Sequence, residues 1–454
     1  MSSSLAPEAV APADGAQREL RLGLGANWFQ FTLLCVTTLL VGMTIGVERT
    51  VLPPLASRAF GITSLALTLS FVTAFGAVKS VLNLFGGHWS DRFGRRRLML
   101  LGWVLGVPYP LLIAFAPNWA FVVVANLFLG ANQGLVWSTS VTAKLDLVGP
   151  ARRGLAIGID EAAGYFGTAI AGYAAGLIAS SAGLRPAPYW LALGTVVLGG
   201  LVTLGPLRES LPWARFEAAQ RAAQAAPGAP GTPAASVTPA RPSLARLFAY
   251  MSWRDRSMAA ACQAGMVNKF ADALAIGVFP LWLVGHHASL ATVGLVGAVY
   301  TGSWGLLQIP SGQVADRLGR KWLIASGLLL EGVAVAWFVS GDGLATWLGA
   351  ALVMGVATAG LYANLITAAG DVPHPAWRGG ALGVYRLWRD AGYAIGPLLT
   401  AAVGTLFGLA AGFWFVAALL VASGLIVAIF MRETHPHRRT GALPWEKPPE
   451  WLGA

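Results

Sequence analysis

Charged side chains occur inside several long apolar runs of this sequence. Lys79 and Glu161 lie in two separate runs, and Lys269 and Asp272 lie close together in a third. A charge is costly in hydrocarbon, so each of these residues is expected to face a water-filled cavity or an opposite charge. The alternative is a structural ion pair that holds helices together. For Lys269 and Asp272, which one helical turn brings into reach, both interpretations stay open.

Some of these buried groups have the chemistry to bind and release a proton. Burial favours the protonated form of a carboxyl and a nearby cation favours the ionised form, so a helix movement can switch between the two. The proton-coupling candidates are Glu161, Asp160 and Asp272. The charged candidates for contact with a solute are Lys79, Lys269, Arg386, Arg389 and Asp390.

The runs that hold these charges indicate a membrane protein with many helical spans. Of 454 residues, 56% are hydrophobic and 11% are charged, whereas a soluble domain carries roughly 25% charged residues. Runs of about 20 apolar residues are long enough to cross a ~30 Å hydrocarbon core. The sequence therefore predicts an all-α integral membrane fold with twelve transmembrane helices. The predicted spans are 28–52, 64–87, 97–116, 119–143, 154–180, 188–207, 257–284, 290–310, 322–340, 344–369, 379–405 and 408–431.

A long polar segment divides these spans into two groups of six. It begins with an amphipathic piece around Trp213 and Arg215, which is suited to a membrane surface. A tract rich in Pro and Ala follows at 227–242 and is typical of a flexible linker. The predicted division is an N-terminal half at 28–207, a linker at 208–256 and a C-terminal half at 257–431, with tails at 1–27 and 432–454.

The distribution of Lys and Arg predicts the orientation in the membrane. Basic residues cluster in loops on one side of the predicted bundle, for example near Arg95, Arg153, Arg320 and Arg378. By the positive-inside rule that side is cytoplasmic, together with both tails and the linker. The net charge of +11 is therefore explained by topology, and no nucleic-acid partner is expected. We predict a multi-pass protein of the cell inner (plasma) membrane, and a monomer.

A glycine-rich basic motif appears twice, once after the second span and once after the eighth. Asp91 and Asp316 are its acidic members, and their separation (316 − 91 = 225) also relates Asp146 to Asp371 and Arg153 to Arg378. Such a repeat indicates two related halves. The motif residues are Gly87, Asp91, Arg92, Gly94, Arg95 and Arg96 in the first copy, and Gly312, Asp316, Arg317, Gly319, Arg320 and Lys321 in the second.

This motif, in both positions, resembles the signature loop of the major facilitator superfamily. The resemblance covers nearly the whole chain and implies that the motif residues form a conformational latch, which holds the halves together at the cytoplasmic side. An aspartate in such a loop can accept hydrogen bonds from the N-terminus of a neighbouring helix. The alternative is a basic loop that only sets topology.

The resemblance also implies a lining for the central cavity and a contact between the halves. It places Asn132, Gln133, Trp137, Tyr362 and Asn364 at the cavity, although the same residues are equally suited to helix–helix hydrogen bonds. It makes the second and eleventh spans face each other, so Lys79 and Asp390, both near ~17 Å depth, are predicted to pair. Alternatively, Arg386 or Arg389 takes Asp390, or Lys79 meets an anionic substrate.

Taken together, these features predict a secondary active transporter that moves a small solute by alternating access. Proton-coupled export of a small organic compound is the first choice, with uptake or uncoupled diffusion as the runner-up. A transporter-like sensor or scaffold that binds without transport is the alternative of another class. No catalytic, metal-binding or cofactor-binding pattern occurs, so neither an enzyme nor a cofactor is expected. Glu331 and the neighbours Glu48 and Arg49 are left without an assigned role.

Overall fold

The computed structural model describes residues 20–62, 67, 70–225, 242–288, 290–436 and 438. The predicted start of the second span, nearly all of the 227–242 tract and most of both tails lie outside these residues. The described residues are almost entirely helical. This composition agrees with a bundle in which every backbone group must be satisfied inside its own segment.

Six spans form the N-terminal half of the bundle. Its first to sixth spans are the helices Trp28–Phe60, Ser70–Phe93, Arg95–Gly106 with Pro108–Ala114, Trp119–Val148, Arg153–Ala182 and Ala187–Leu204. The polar segment that follows contributes the linker helix Leu211–Ala225 and a short helix, Leu244–Ala249.

Six further spans form the C-terminal half. The seventh to twelfth spans are the helices Arg256–Gly277 with Phe279–Gly285, Leu290–Leu318, Lys321–Ser340, Leu344–Asp371, Arg378–Phe407 and Leu409–Phe430. Among the described residues, eight helical segments are long and apolar enough to cross a membrane by themselves. The second, seventh, eighth and eleventh spans fall outside that set. Three of these four carry Lys79, Lys269 and Arg389, charges that lower the hydropathy of a helix.

The first span differs from its prediction at one end. The predicted span stops at residue 52 because Pro53 and Pro54 follow, but the helix continues through both prolines to Phe60. Proline removes one backbone donor, and neighbouring helices can compensate for this loss inside a membrane bundle. Leu52 and Leu55, on either side of the prolines, are fully buried, so packing holds this part of the helix in place.

The two halves meet along two pairs of spans, the second with the eleventh and the fifth with the eighth. Glycines allow the backbones to approach closely there. A Cβ atom on Gly87 would lie 2.2 Å from the carbonyl oxygen of Gly379, and one on Gly312 would lie 2.2 Å from that of Gly154. The two contacts are related by the 225-residue repeat, so the interface is pseudo-symmetric.

Candidate functional site

A small cavity lies between the two halves, near the middle of the bundle. Its volume is about 30 Å³, which is room for roughly one water molecule. Five aromatic side chains line it, namely Phe75, Trp137, Tyr165, Tyr362 and Tyr393. The charged residues of the lining are Arg49, Lys79, Arg389 and Asp390. This central cavity therefore has three cations and one carboxylate in its wall.

Asp390 is the acceptor at the centre of this charge cluster. The Lys79 ammonium lies 3.7 Å from its carboxylate, so the predicted pair between the second and eleventh spans is present. Arg389 is closer still, with Nε and Nη2 at 2.7 Å and 3.0 Å from the two oxygens. Asn83 adds a hydrogen bond of 2.7 Å from its Nδ2. Asp390 is thus shared, and Lys79 keeps donors available for another acceptor.

Arg49 contrasts with these paired residues. It lines the central cavity and is exposed. Within the described residues it has no carboxylate at salt-bridge distance, although Glu48 and Asp272 lie near enough to influence it. An arginine in a cavity wall without a carboxylate partner is available to an anion from outside the protein.

A second charge pair lies beside the cavity on the seventh span. The Lys269 ammonium is 3.0 Å from Asp272 and 4.3 Å from the centre of the Tyr362 ring. The Tyr393 hydroxyl also donates to Asp272. This geometry is compatible with a structural ion pair, because the pair is buried. It is equally compatible with a role at the cavity, because the pair touches two aromatic residues of the cavity wall.

The remaining proton-coupling candidates also have cations nearby. Asp160 forms a buried ion pair with Lys144, which also contacts Thr38. Glu161 accepts a 3.3 Å hydrogen bond from the Trp137 indole and lies 3.9 Å from Arg386. Its second oxygen, Oε2, is buried and has no hydrogen-bond partner among the described residues. Asp160 Oδ2 also has no partner there, but Asp160 Oδ1 is in direct contact with Lys144, whereas the cation nearest to Glu161 is 3.9 Å away. Glu161 is therefore the least satisfied of the three carboxylates.

The structure places three of the predicted cavity residues elsewhere. Asn132 donates to the carbonyl of Gly102 at 2.9 Å, and Gln133 to that of Val41 at 2.7 Å. Asn364 donates 3.1 Å to the hydroxyl of Ser311. None of the three lines the central cavity, and each links two helices of its own half. Trp137 and Tyr362, from the same predicted set, do line it.

The repeated motif lies at one end of the bundle, called here the basic end because of Arg95, Arg153, Arg320 and Arg378. Asp91 accepts from the backbone N–H groups of Gly379 and Gly380, at 3.1 Å and 2.8 Å. These groups start the eleventh span, which belongs to the other half. The predicted helix N-terminus contact is therefore present, and it joins the two halves.

The second copy repeats this arrangement with the halves exchanged. Asp316 accepts from Gly154 and Leu155 at the start of the fifth span, at 2.9 Å and 2.8 Å. Each aspartate also pairs with the arginine four residues later, Arg95 at 2.8 Å and Arg320 at 3.0 Å. The motif thus fixes each half to the first turn of a helix in the other.

Two aspartates extend this network across the interface. Asp146 binds Arg95 of its own half and Arg378 of the other, both at 3.1 Å. Asp371 binds Arg320 and Arg153 in the same way, again at 3.1 Å. All of these side chains are buried. A buried charge that loses its partner is strongly destabilising. Separation of the halves removes partners on both sides of the interface, so we expect the cross-interface ion pairs to break together.

Glu217 completes the network from the linker helix. Its Oε1 lies 2.7 Å from Arg153 and its Oε2 lies 2.6 Å from Arg378. The two arginines are repeat equivalents from different halves, and one carboxylate holds both. The sequence pattern did not identify Glu217, because a single acidic residue on an amphipathic helix resembles an ordinary surface charge.

The other motif residues have local roles. Gly94 and Gly319 have φ angles of 99° and 101°, which side chains other than glycine rarely adopt. Glu209 accepts from the backbone N–H groups of Arg95 and Arg96, and Glu433 from those of Arg320 and Lys321. Arg92 and Arg317 are exposed. The tight turns of the motif are thus stabilised, whereas two of its arginines lie outside the network.

Sequence reasoning also missed Lys144, Tyr165 and Tyr393. The predicted fourth span stopped at residue 143, which put Lys144 in a loop, but the helix continues to Val148 and buries it. The tyrosines carry no charge, so the cost argument that singled out the other residues did not apply to them. The 225-residue repeat was a usable signal for Asp146, Asp371, Arg153 and Arg378.

Two pseudo-symmetric six-helix halves with a charged cavity between them are an arrangement found in membrane transporters. The family model described as "Major Facilitator Superfamily" matches residues 34–268 and 261–453. The chain therefore belongs to the major facilitator superfamily, whose members are secondary transporters.

Two curated relatives match part of the chain. One is a probable sulfoacetate transporter, SauU, of Cupriavidus necator, 32% identical over 154 residues that cover 34% of this chain and 35% of the relative. The other is a lincomycin resistance protein of Streptomyces lincolnensis, 31% identical over 123 residues that cover 27% of this chain and 24% of the relative. The chain therefore matches only about a third or less of the length of either relative.

Solved structures share the fold over nearly the full length. The human organic anion transporter MFSD10 (TETRAN) has a TM-score of 0.67 at 19% identity, covering 87% of this chain and 98% of that one. The proton:xylose symporter XylE, bound to 6-bromo-6-deoxy-D-glucose, has a TM-score of 0.68 at 16% identity, covering 90% and 97%. At these identities the likeness shows the fold alone.

Proposed function

We propose that this transporter moves a small organic anion through the central cavity. The observation that carries this proposal is the charge of the wall, where Arg49, Lys79 and Arg389 face a single carboxylate, Asp390. Three cations around one carboxylate leave positive charge that an anionic solute neutralises. Arg49 has no carboxylate partner among the described residues, so it is the first contact expected for the anionic group.

The names of two similar proteins support an anionic substrate. One relative is described as a sulfoacetate transporter and one structural neighbour as an organic anion transporter. The aromatic residues Trp137, Tyr165, Tyr362 and Tyr393 would bind the organic part of the solute. A wall that combines cations with aromatic rings suits a molecule that has an acidic group and a carbon skeleton.

Alternating access provides the transport cycle in this proposal. The basic end is closed by the network around Asp91, Asp316 and Glu217, which we propose to be the conformational latch. We propose that the basic end is cytoplasmic, with both tails on that side of a cell inner (plasma) membrane, by the positive-inside rule. The division into halves at 28–207 and 257–431, with a linker at 208–256 and a monomeric state, belongs to the same proposal.

Proton coupling and the direction of transport complete the proposal. Glu161 remains the first candidate for the coupling proton, because its nearest cation, Arg386, is 3.9 Å away, whereas Asp160 and Asp272 are in closer ion pairs. Export is the proposed direction. Uptake, uncoupled diffusion and binding without flux are the alternatives that flux measurements distinguish.

A binding measurement tests the substrate class directly. We expect small carboxylates and sulfonates, with sulfoacetate as the first probe, to raise the thermal unfolding midpoint of the purified protein, because a ligand that binds only the folded state stabilises it. Arg49→Gln should remove most of this shift. Arg58→Gln is the matched control, since Arg58 lies on the same helix, is exposed and does not line the cavity. Equal stabilisation by neutral xylose, or an unchanged shift in Arg49→Gln, would contradict the proposal.

Drug export is a second candidate function, and a specific observation favours it. Five aromatic residues line the cavity wall, and one relative is a lincomycin resistance protein. Lincomycin therefore belongs in the same panel. Stabilisation by lincomycin that persists in Arg49→Gln, without stabilisation by the anions, would favour drug export over anion transport.

A further inference from the structure

Glu331 is a buried carboxyl group that the central cavity does not use. It lies in the middle of the ninth span and is fully buried within the C-terminal half. Leu328 and Val335, one turn to either side on the same helix, belong to the hydrophobic core. The position of a carboxyl group in this apolar environment calls for a physical explanation.

The partners of Glu331 are all neutral. The Asn268 amide lies 3.3 Å and 3.1 Å from the two carboxyl oxygens, and the Thr358 hydroxyl lies 2.8 Å from Oε1. Within the described residues no Lys, Arg or His approaches Glu331 to salt-bridge distance. Asp146, Asp272 and Asp390, which are equally buried, each have a cation at that distance.

This difference decides the protonation state. Moving an ionised carboxylate out of water costs several kcal/mol, and only a close counter-charge with good geometry offsets that cost. Two neutral donors offset it in part. A neutral carboxyl avoids the cost, so the surroundings of Glu331 favour the protonated form.

The count of hydrogen atoms points the same way. The single hydroxyl proton of Thr358 has two acceptors in reach, Oε1 of Glu331 at 2.8 Å and the carbonyl of Met354 at 2.9 Å. If Glu331 carries a proton, it donates to the Thr358 oxygen, and Thr358 then donates to Met354. Each of these two protons is then used once. An ionised Glu331 would instead compete with Met354 for one proton.

The seventh span connects Glu331 to the central cavity. Asn268, which holds the carboxyl, immediately precedes Lys269, which pairs with Asp272 beside the cavity. Lys269 and Asp272 are the charged groups nearest to Glu331, and Tyr300 of the eighth span is the other titratable neighbour. The tenth span presents the neutral Thr358, and the twelfth presents Ala417 and Leu420 next to Gly332.

We propose that Glu331 is a proton-binding site of the C-terminal half, protonated in the conformation described here and linked through the seventh span to the Lys269–Asp272 pair. When the seventh span moves, Asn268 leaves the carboxyl and Lys269 shifts with it. Water that enters then accepts the proton from Oε1 or Oε2. The use of this proton for coupling rests on the proposed transport function, whereas the protonated state of Glu331 does not.

Infrared spectroscopy of the purified protein tests the protonation state without any substrate. A protonated carboxyl has a C=O stretching band that an ionised one lacks and that shifts in D₂O. We expect such a band near neutral pH, and we expect Glu331→Gln to lose it. Asp342→Asn is the control, because the Asp342 side chain is 82% exposed, whereas Glu331 is fully buried. Identical carboxyl bands in Glu331→Gln and the original protein would overturn the proposal.

A second variant protects the test against a failure of Glu331→Gln to fold. Thr358→Val keeps the shape of the side chain but removes the hydroxyl that accepts the proton's hydrogen bond. We expect the carboxyl band to remain and to change its frequency, because the C=O stretch of a carboxyl group shifts when its O–H loses a hydrogen-bond acceptor. A band that is unchanged in Thr358→Val would also count against the assignment.

The link to transport is measured separately in liposomes. For an anion that passes the binding test, Glu331→Gln should lose accumulation driven by a pH gradient but keep exchange of labelled for unlabelled anion. Unchanged gradient-driven accumulation would remove the coupling role and leave a protonated structural carboxyl. If the original protein transports no anion, the proposed function is wrong. The infrared experiment still tests the protonated state of Glu331, because it needs no substrate.

Discussion

Replacement of Glu217 by Gln should open the basic end of the protein. The carboxylate of Glu217 bonds to Arg153 at 2.7 Å and to Arg378 at 2.6 Å, and thereby holds two arginines from different halves. Gln keeps the shape but removes the charge. Neither arginine is left alone, because Arg153 keeps Asp371 and Arg378 keeps Asp146.

The size of the effect follows from these contacts. A hydrogen bond to a charged group contributes roughly 1.5–3 kcal/mol. We take the lower value for each of the two bonds, since both arginines retain a second carboxylate, and the closed form then loses about 3 kcal/mol. Each 1.4 kcal/mol is a factor of ten in an equilibrium constant, so the ratio of closed to open forms should fall about 100-fold.

Distance measurements between spin labels can detect this shift. Arg92 and Arg317 are exposed, lie at the basic end and belong to different halves, so each can be replaced by a labelled cysteine. The native Cys35 and Cys262 are first changed to Ser. We expect Glu217→Gln to move the population from a short to a longer label distance.

Glu209→Gln is the matched control, because Glu209 caps the backbone of Arg95 and Arg96 within one half. It should lower the stability of that turn without a change in the distance between the halves. If Glu217→Gln shows the same distance distribution as the original protein, at equal thermal stability, the assignment of Glu217 to the closed state is refuted.

Three further predictions concern the latch and the cavity. Asp91→Asn should lower the transport rate more than the membrane expression, because the variant keeps the fold but weakens the bonds to the eleventh span, and Asp316→Asn should act in the same direction; unchanged rates in both at matched protein levels would remove the latch role. Glu161→Gln should lose gradient-driven accumulation in liposomes but keep exchange, and full accumulation would move the coupling role elsewhere. Lys79→Asp and Asp390→Lys should each impair transport, and the double variant should recover a small part of the transport rate. Recovery is only partial because Asp390 also bonds to Asn83 and Arg389, which the exchange leaves without that carboxylate. No recovery in a folded, inserted protein would favour a substrate-facing Lys79.

The fold was accessible from the sequence because its main determinant is simple. A membrane span must be long and apolar, and the runs of such residues are separated by loops with clear charge signals. The errors lie where packing decides. The first span continues past Pro53 and Pro54 because Leu55 is buried against other helices, and the fourth span continues past residue 143 because Lys144 finds Asp160 inside the bundle.

The site was accessible only in part. The cost of buried charge identified Lys79, Asp390 and Glu161, but it could not say which carboxylate takes which cation, since pairing depends on helix rotation. Arg49 had no assigned role, although it lines the cavity. Glu217 was invisible because its importance comes from two arginines that are distant in sequence and that only the assembled halves bring together.

The 225-residue repeat separates the parts of the protein that close it from the parts that bind a solute. At the basic end, the aspartates and arginines that bond across the interface are identical at equivalent positions, and both copies make the same bonds to the opposite half. Around the central cavity, equivalent positions carry different side chains: Lys79 corresponds to Trp304, Glu161 to Arg386, and Trp137 to Tyr362.

Closure by a rocking motion treats the two halves alike, so symmetric contacts suit it. A solute with one acidic end is not symmetric, and it requires a wall whose two sides differ. The loss of symmetry at the cavity is therefore what transport of an asymmetric solute predicts. Glu161→Arg makes these two equivalent positions identical and places a second arginine beside Arg386, so it should change solute binding while leaving the network at the basic end intact. On the same variant, thermal-shift measurements test the claim about solute binding, and spin-label distances test the claim about the basic end.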